Sequence, residues 1–486
     1  VPGVNGGARE QGALAIVLHT HMPYVEGFGT WPFGEEWLWE AIAGSYLPLL
    51  ELLDGGAPVT LSLTPVLCDQ LEAPGLVARF RRFVDEVRRG THERDAAGLR
   101  DGGHEQLAAE LERAWHDYKG ALERLQRRSE DLLGAFAPHV RWTSSATHAI
   151  LPLLATEAGV RAQVRSGIAS HRRRFGEWRG GFWLPECAHA PWLHGTLAEA
   201  GAKTVCVELT GALGEGSWEH LRPLAGEHGV VLVPIDRATI SLVWSERGYP
   251  AAGAYRDYHR LTTFHHNPWN NAGGAYDHEA ALALARDHAA DFVARVRERL
   301  REAARAAPGP LPGGGLVVCA LDTELLGHWW YEGVAWLAAV VEQAAAQGLR
   351  LVALDDAPAL GEPRPLPAAL AQEWRPTSWG HGGDLSTWSQ PGVAELAFGA
   401  RAAELQLLGA GPGVPAVALR ELLALQSSDW AFLITRELAV SYGRERFDGH
   451  RRRLQEALSG AGAGAAGLRA LRNIAPDARP CDLVGP

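Results

Sequence analysis

The chain has 486 residues, a formal net charge of −11, 18 tryptophans and five cysteines. That length exceeds what one hydrophobic core organises, so a large domain with one or two smaller satellites is expected. The acidic balance excludes a nucleic-acid-binding surface, which concentrates positive charge, and the lack of any run of about 18 apolar residues excludes a membrane-spanning helix.

Ala13 to Leu18 is a continuous apolar run that ends in His19-Thr20-His21-Met22-Pro23-Tyr24, the pattern of a first buried parallel strand. A helix is predicted over Glu35 to Leu53, then a second strand over Pro58 to Leu63. From Gly75 to Leu133 there is no strand signal but long charged helical patterns, such as His104 to Arg128, which predict a helical insertion. Further strands are predicted at Trp142-Thr143-Ser144, Gly181 to Leu184, Thr204 to Glu208, Val230 to Ile235, Thr239 to Trp244, Leu316 to Leu321 and Leu351 to Leu354. Most are short, apolar on both faces and separated by helical patterns, which points to an α/β barrel. Gly and Pro cluster at Ala306 to Gly315, a loop, and at Gly361 to Pro367, a boundary. Beyond it come helical patterns at Val393 to Leu408 and Val417 to Leu425, then Ser427-Ser428-Asp429-Trp430 and a helix through Tyr442 and His450. Ser459 to Gly467 is low-complexity Gly/Ala.

The cysteines lie at 68, 187, 206, 319 and 481, with no disulfide framework or zinc spacing. Val1 to Gln11 is polar and Gly-rich, without the apolar centre of a signal peptide. A soluble, cytoplasmic monomer is the expectation, acting on a neutral polymer without nucleic acid or membrane as partner.

Two apolar runs each open onto a carboxylate beside aromatic residues: Phe182-Trp183-Leu184-Pro185-Glu186, and Leu321-Asp322-Thr323-Glu324 continuing to Gly327-His328-Trp329-Trp330. A carboxylate at the end of a buried strand must be hydrogen-bonded, paired or used in a reaction. Either acid alone could cap a following helix. Two such acids, each flanked by tryptophan, match the pair needed to cleave a glycosidic bond. Indole faces stack on pyranose rings, although a tryptophan can equally fill a core. His19 and His21 have a competing interpretation as the start of a metal site. The later strand ends at Glu208, Ile235 and Trp244 supply no further histidine, so hydrogen bonding to substrate hydroxyls is the better role, and no metal or other cofactor is expected.

Taken in order, His19-Thr20-His21-Met22-Pro23-Tyr24, Ser145-Ala146-Thr147-His148, Trp183-Leu184-Pro185-Glu186-Cys187-Ala188 and Leu321 to Trp330 resemble glycoside hydrolase family 57, and within it are most similar to the α-1,4-glucan branching enzymes. Ser378-Trp379-Gly380 and Ser427-Ser428-Asp429-Trp430 also fit. The resemblance implies a (β/α)7 barrel at 1–74 and 134–360, a helical insertion at 75–133 and a C-terminal helical domain at 361–486. It implies an α-1,4-glucan as substrate and a retaining mechanism, with Glu186 as nucleophile and Asp322 as general acid/base. Through it His19, His21 and His148 are expected to line the donor subsite. Trp31, Trp244, Trp379 and Trp388 are expected to shape the glucan groove, Asp429 and Trp430 to reach in from the helical domain, and Trp183 and His328 to contact substrate.

Two departures from the family pattern stand out. Between Leu209 and Val230 the chain is short and has no tyrosine, where branching enzymes carry a longer, tyrosine-bearing loop over the site. His381 stands where the family usually has an acid. An α-amylase or 4-α-glucanotransferase on the same scaffold is thus the alternative, and a glucan-binding protein with a weakly active site the alternative of another class.

Overall fold

In a computed structural model of the chain, residues 12–27, 34–309, 311–355, 362–368, 370, 375–460 and 473–484 are described. The strands are β1 (Ala13–Thr20), β2 (Thr60–Leu63), β3 (Val140–Ser144), β4 (Gly181–Trp183), β5 (Thr204–Val207), β6 (Leu224–Ala225), β7 (Val231–Pro234), β8 (Leu316–Asp322) and β9 (Arg350–Leu351). β1 runs parallel between β8 and β2, and β3, β4, β5 and β7 follow in parallel beyond β2. The free ends of this curled sheet meet where the Asp236 N–H, just past β7, donates to the Val318 carbonyl of β8 at 2.9 Å. These seven parallel strands form a (β/α)7 barrel. β1 is buried along its whole length, which is why its sequence is apolar without alternation.

Parallel pairing sends every strand's C-terminal end to one rim, where barrel enzymes keep their chemistry. The register sets His19 beside Ser62 of β2 and Asp322 of β8. Residues just past β3, β4 and β5 bring His148, Glu186 and Glu208 to the same rim.

The predicted strand over Thr239 to Trp244 is not formed. Arg237–Ile240 is a helical turn, because the Asp236 carboxylate accepts from the N–H of Thr239 and caps it. β9 pairs with the lower half of β1 and ends at Leu351, and the Leu354 N–H turns aside to the Thr60 hydroxyl at 2.7 Å. β6 is a two-residue antiparallel addition outside β7 that apolar patterning does not reveal.

The predicted helix from Glu35 runs as Glu35–Ala41, a π turn at Ile42–Tyr46 and Leu47–Asp54. The segment after Gly75 folds into helices that include Arg89–Asp101 and Glu105–Arg127. Leu76, Phe80, Phe83, Leu125 and Phe136 from this stretch join the apolar cluster of the barrel itself. A separate cluster gathers helices Ala394–Gly409, Ala416–Leu425, Ser428–Thr435 and Val440–Leu458, with Tyr24, Ala146 and Ile150 of the barrel loops and Val66 of the helix Pro65–Leu71 packed into it. An isolated bridge between Ala149 and Ser427 sets Ser428 and Asp429 over the barrel rim.

Candidate active site

Glu186 follows β4 in a tight turn with φ 60° and ψ 23°, and Cys187 and His148 are also left-handed. A side chain other than glycine held there costs on the order of 1–3 kcal/mol, which the surroundings must offset. They do so with Trp379. Its backbone N–H donates to the Glu186 carbonyl at 3.0 Å, and its indole Nε1–H donates to Glu186 Oε2 at 2.7 Å. His148 Nδ1 lies 3.9 Å from Oε1. Burial raises the Glu186 pKa to about 7, against the lowering by the Trp379 hydrogen bond and the nearby His21.

Asp322 ends β8, and no hydrogen bond to its carboxyl is found among the described residues. Burial, followed by the charges of Glu186 and Glu324, pushes its pKa well above the ordinary range. A charge on Glu186 thus favours the protonated form of Asp322, the arrangement of an acid pair whose members divide the roles of base and acid.

Next to this pair three imidazoles form a layered wall. His19 stacks on Trp183 with centroids 4.7 Å apart, and His21 stacks on His148 at 3.8 Å. Ser62, His19, His148 and Ser428 form one hydrogen-bonded chain, with 2.9 Å between the two Nε2 atoms. Burial foremost holds His19 and His148 far below the usual histidine pKa, so both are neutral and share one proton across that contact. His21 differs. Burial lowers its pKa, but Asp429 at 2.9 Å, with Glu324 and Glu186, outweighs that effect and the net direction is up.

His21, His148 and Asp429 bring ligand-type atoms within 4.8 Å of one another. The geometry does not suit a metal: imidazoles bind an ion in the ring plane, and these two rings are stacked 16° from parallel. Their nitrogens are also committed to Thr64, Asp429, His19 and Ser428.

The remaining expected residues are distributed unevenly. Trp244 (47% exposed) and Trp329 (36%) pair their rings at 5.7 Å, with half-buried His328 next to Trp329, so these three make an aromatic strip at the surface. Trp183 is fully buried behind His19 and Trp379. Trp388 is buried against Gly380, under the loop that carries Trp379. Trp430 differs from the expectation of a substrate contact. Its indole N–H donates to the Ala424 carbonyl at 2.8 Å and its ring faces Arg446 and His450, so it anchors the helical packing beneath Asp429. Trp31 lies outside the described residues.

Glu324 is joined to the site through a carboxylate that accepts from Tyr46 at 2.6 Å and from the His21 N–H at 3.2 Å. Burial raises its pKa to about 7. Glu208 and Arg237 are also brought to the rim. Sequence alone assigned none of these three a role. Glu208 has the local signature of Glu186, an acid directly after a buried strand, and that signal could have found it.

A carboxylate pair at the rim of a parallel barrel, walled by stacked imidazole and indole rings, defines a site of glycoside-hydrolase type. Among known proteins, the profile of glycosyl hydrolase family 57 matches residues 142–365, and that of the 1,4-alpha-glucan branching enzyme C-terminal region matches residues 413–479. A probable 1,4-alpha-glucan branching enzyme of Mycobacterium tuberculosis is 32% identical, covering 94% of this chain and 93% of that protein. The crystal structure of a GH57-type branching enzyme from Pyrococcus horikoshii superposes with a TM-score of 0.87 at 30% identity, covering 98% and 97% of the two chains. That of a GH57 branching enzyme from Thermococcus kodakaraensis, in complex with glucose, gives 0.85 at 29% identity over 98% and 96%. The chain belongs to glycosyl hydrolase family 57.

Proposed function

We propose that this protein is a retaining 1,4-α-glucan branching enzyme, with Glu186 as nucleophile and Asp322 as general acid/base. The observation that carries this assignment is the unequal treatment of the two acids. Glu186 is gripped by an indole N–H and lies near His21, whose pKa the surrounding acids raise, while the Asp322 carboxyl has no hydrogen-bond partner among the described residues and burial favours its protonated form. Asp322 gives that proton to the departing glycosidic oxygen as the Glu186 carboxylate attacks the anomeric carbon, forming a glucosyl ester. Asp322, now a carboxylate, takes the proton of a glucan 6-hydroxyl, which opens the ester and leaves an α-1,6 branch. The likeness to named branching enzymes over nearly the whole chain, and the match to their C-terminal region, favour transfer over hydrolysis.

His19, His21 and His148 hold the hydroxyls of the reacting glucose, and Asp429 fixes His21. Trp244, Trp329 and His328 guide the chain across the surface. The proposed parts are a barrel at 1–74 and 134–360, an insertion at 75–133 and a helical domain at 361–486. All five cysteines are unpaired, which fits a reducing, cytoplasmic compartment and a role in building a glycogen-like store.

The test is incubation with linear amylose followed by debranching. The expected result is falling iodine colour and new chains released only by an α-1,6-specific debranching enzyme, with reducing ends nearly constant. Rising reducing ends without releasable branches would identify an amylase instead.

A further inference from the structure

We infer that Arg237, locked by Glu208, is a positioning residue for the nucleophile, because its guanidinium fixes the Trp379 segment whose N–H groups hold Glu186. The inference rests on Glu186 being the nucleophile.

Arg237 opens the helical turn after β7 and has a rigid base. Asp236 caps that turn, pairs with Arg299 at 3.1 Å and donates its backbone N–H to β8 at the barrel closure. From there Arg237 Nε donates to Glu208 Oε2 at 2.9 Å, Nη2 lies 2.7 Å from the same oxygen, and Nη2 also donates to the Trp379 carbonyl at 3.2 Å. The other oxygen of buried Glu208 accepts from the Thr210 N–H at 2.7 Å, so the carboxylate is bonded on both sides.

On the far side of that carbonyl, residues 377–379 lie against 186–189 as a short antiparallel pair. Thr377 and His189 exchange N–H···O bonds of 2.9 Å, and the Trp379 N–H reaches the Glu186 carbonyl. Beyond Trp379 the chain runs into Gly380, Gly382 and Gly383, two of them at positive φ. The turn after Trp379 closes on itself, with the Gly383 N–H donating to the Gly380 carbonyl at 3.0 Å and the Ser378 N–H to the Gly383 carbonyl at 3.2 Å, so the Arg237 bond to the Trp379 carbonyl is the clamp that ties this turn to the end of β7. The indole that sets the Glu186 carboxylate is therefore only as well placed as the backbone Arg237 holds. A guanidinium fork can serve Glu208 and the carbonyl together, whereas a lysine point charge serves the ion pair and reaches the carbonyl poorly.

The groups facing Glu186 are Trp379, His148, His21, Asp429 and Asp322, and adjacent Cys187 senses the Glu208–Arg237 pair. Of these, the clamp acts on Trp379. Loosening it weakens a hydrogen bond that favours the carboxylate, and the acid limb of kcat/KM moves to higher pH.

The test uses the full chain as wild type, Arg237→Lys, Arg237→Gln and Glu208→Gln, with 5-fluoro-α-D-glucosyl fluoride as probe. Fluoride leaves as the glucosyl ester forms, and mass spectrometry reads the rate of labelling on the Glu186 peptide per folded molecule. Labelling and kcat are expected to fall about 10–100-fold in Arg237→Gln, the scale of a small misplacement of a reacting group, with KM within about twofold. Arg237→Lys is expected to recover part of the rate, with an acid limb still displaced upward. If wild type labels at Glu186 and the folded variants label equally fast with an unmoved pH limb, the inference is overturned. If Arg237→Gln does not fold, the charge-preserving Arg237→Lys decides by the same rate and limb. A wild type that labels elsewhere removes the nucleophile assignment itself, a separate outcome.

Discussion

Glu186, the proposed nucleophile, sits in a position that the chain would not adopt unaided, a left-handed turn in which burial raises its pKa and one indole hydrogen bond opposes that rise. Trp379→Phe removes the bond and leaves burial, so the acid limb of the pH profile should move up from near 7, with kcat lowered about tenfold. A limb that stayed or moved down would contradict that role. The raised pKa also bears on stability. The folded state holds the Glu186 proton more tightly than the unfolded chain, so below the ordinary value of 4.5 there is no penalty, and above about 7 it is complete. Glu186→Gln should thus be more stable to unfolding than wild type at pH 8, by up to about 3 kcal/mol at 1.36 kcal/mol per unit, and equally stable at pH 4. The same variant should lose at least about a thousandfold in branching rate. That Glu186 and Asp322 stand at the barrel rim was legible because each follows an apolar strand and has tryptophan nearby in the sequence. Glu208 also ends an apolar strand but has no tryptophan beside it, and its partner Arg237 enters 29 residues later, from a turn that the sequence did not disclose.

Among the elements, the loop behind Asp322 is seated by a backbone contact in addition to the side chains of Ser45 and Tyr46, which donate to the Thr323 carbonyl at 3.0 Å and to Glu324 at 2.6 Å. Gly44, in the π turn Ile42–Tyr46, meets Gly327, whose φ is 100°, and a Cβ on Gly327 would run into the Gly44 carbonyl oxygen. Gly327→Ala should cost about 2–4 kcal/mol in denaturant unfolding through backbone strain and overlap, and should displace His328 and Trp329, raising KM for long glucans more than for short ones. Unchanged stability would show that the contact is slack. Most barrel strands were readable from continuous apolar runs. Thr239 to Trp244 failed because a β-branched, apolar stretch gives the strand pattern whether or not an aspartate three residues earlier caps it into a helix. That choice depends on Asp236 being held by Arg299, which no local pattern shows.

Across the molecule, the site is assembled from both ends of the chain: His21 and Asp429 are 408 residues apart in sequence and 2.9 Å apart in space. The family motifs indicated that the C-terminal helices contribute, but not how they are held. Buried Glu404 is one fastening, accepting from the Thr156 hydroxyl at 2.6 Å, the Ala155 N–H at 3.1 Å and Gln426 at 2.9 Å. Glu404→Ala would strand those donors at a cost of about 2–3 kcal/mol, and should loosen Ser427 to Asp429, so that His21 loses its partner and kcat falls together with Tm. A drop in Tm with kcat intact would separate the fastening from the site. The most direct measurement on the whole assembly is azide rescue with an activated α-glucosyl donor. Glu186→Ala should give a β-glucosyl azide, by attack from the face the carboxylate vacates, and Asp322→Ala an α-glucosyl azide through the intact ester. An α product from Glu186→Ala, or a β product from Asp322→Ala, would contradict the assignment of the two acids.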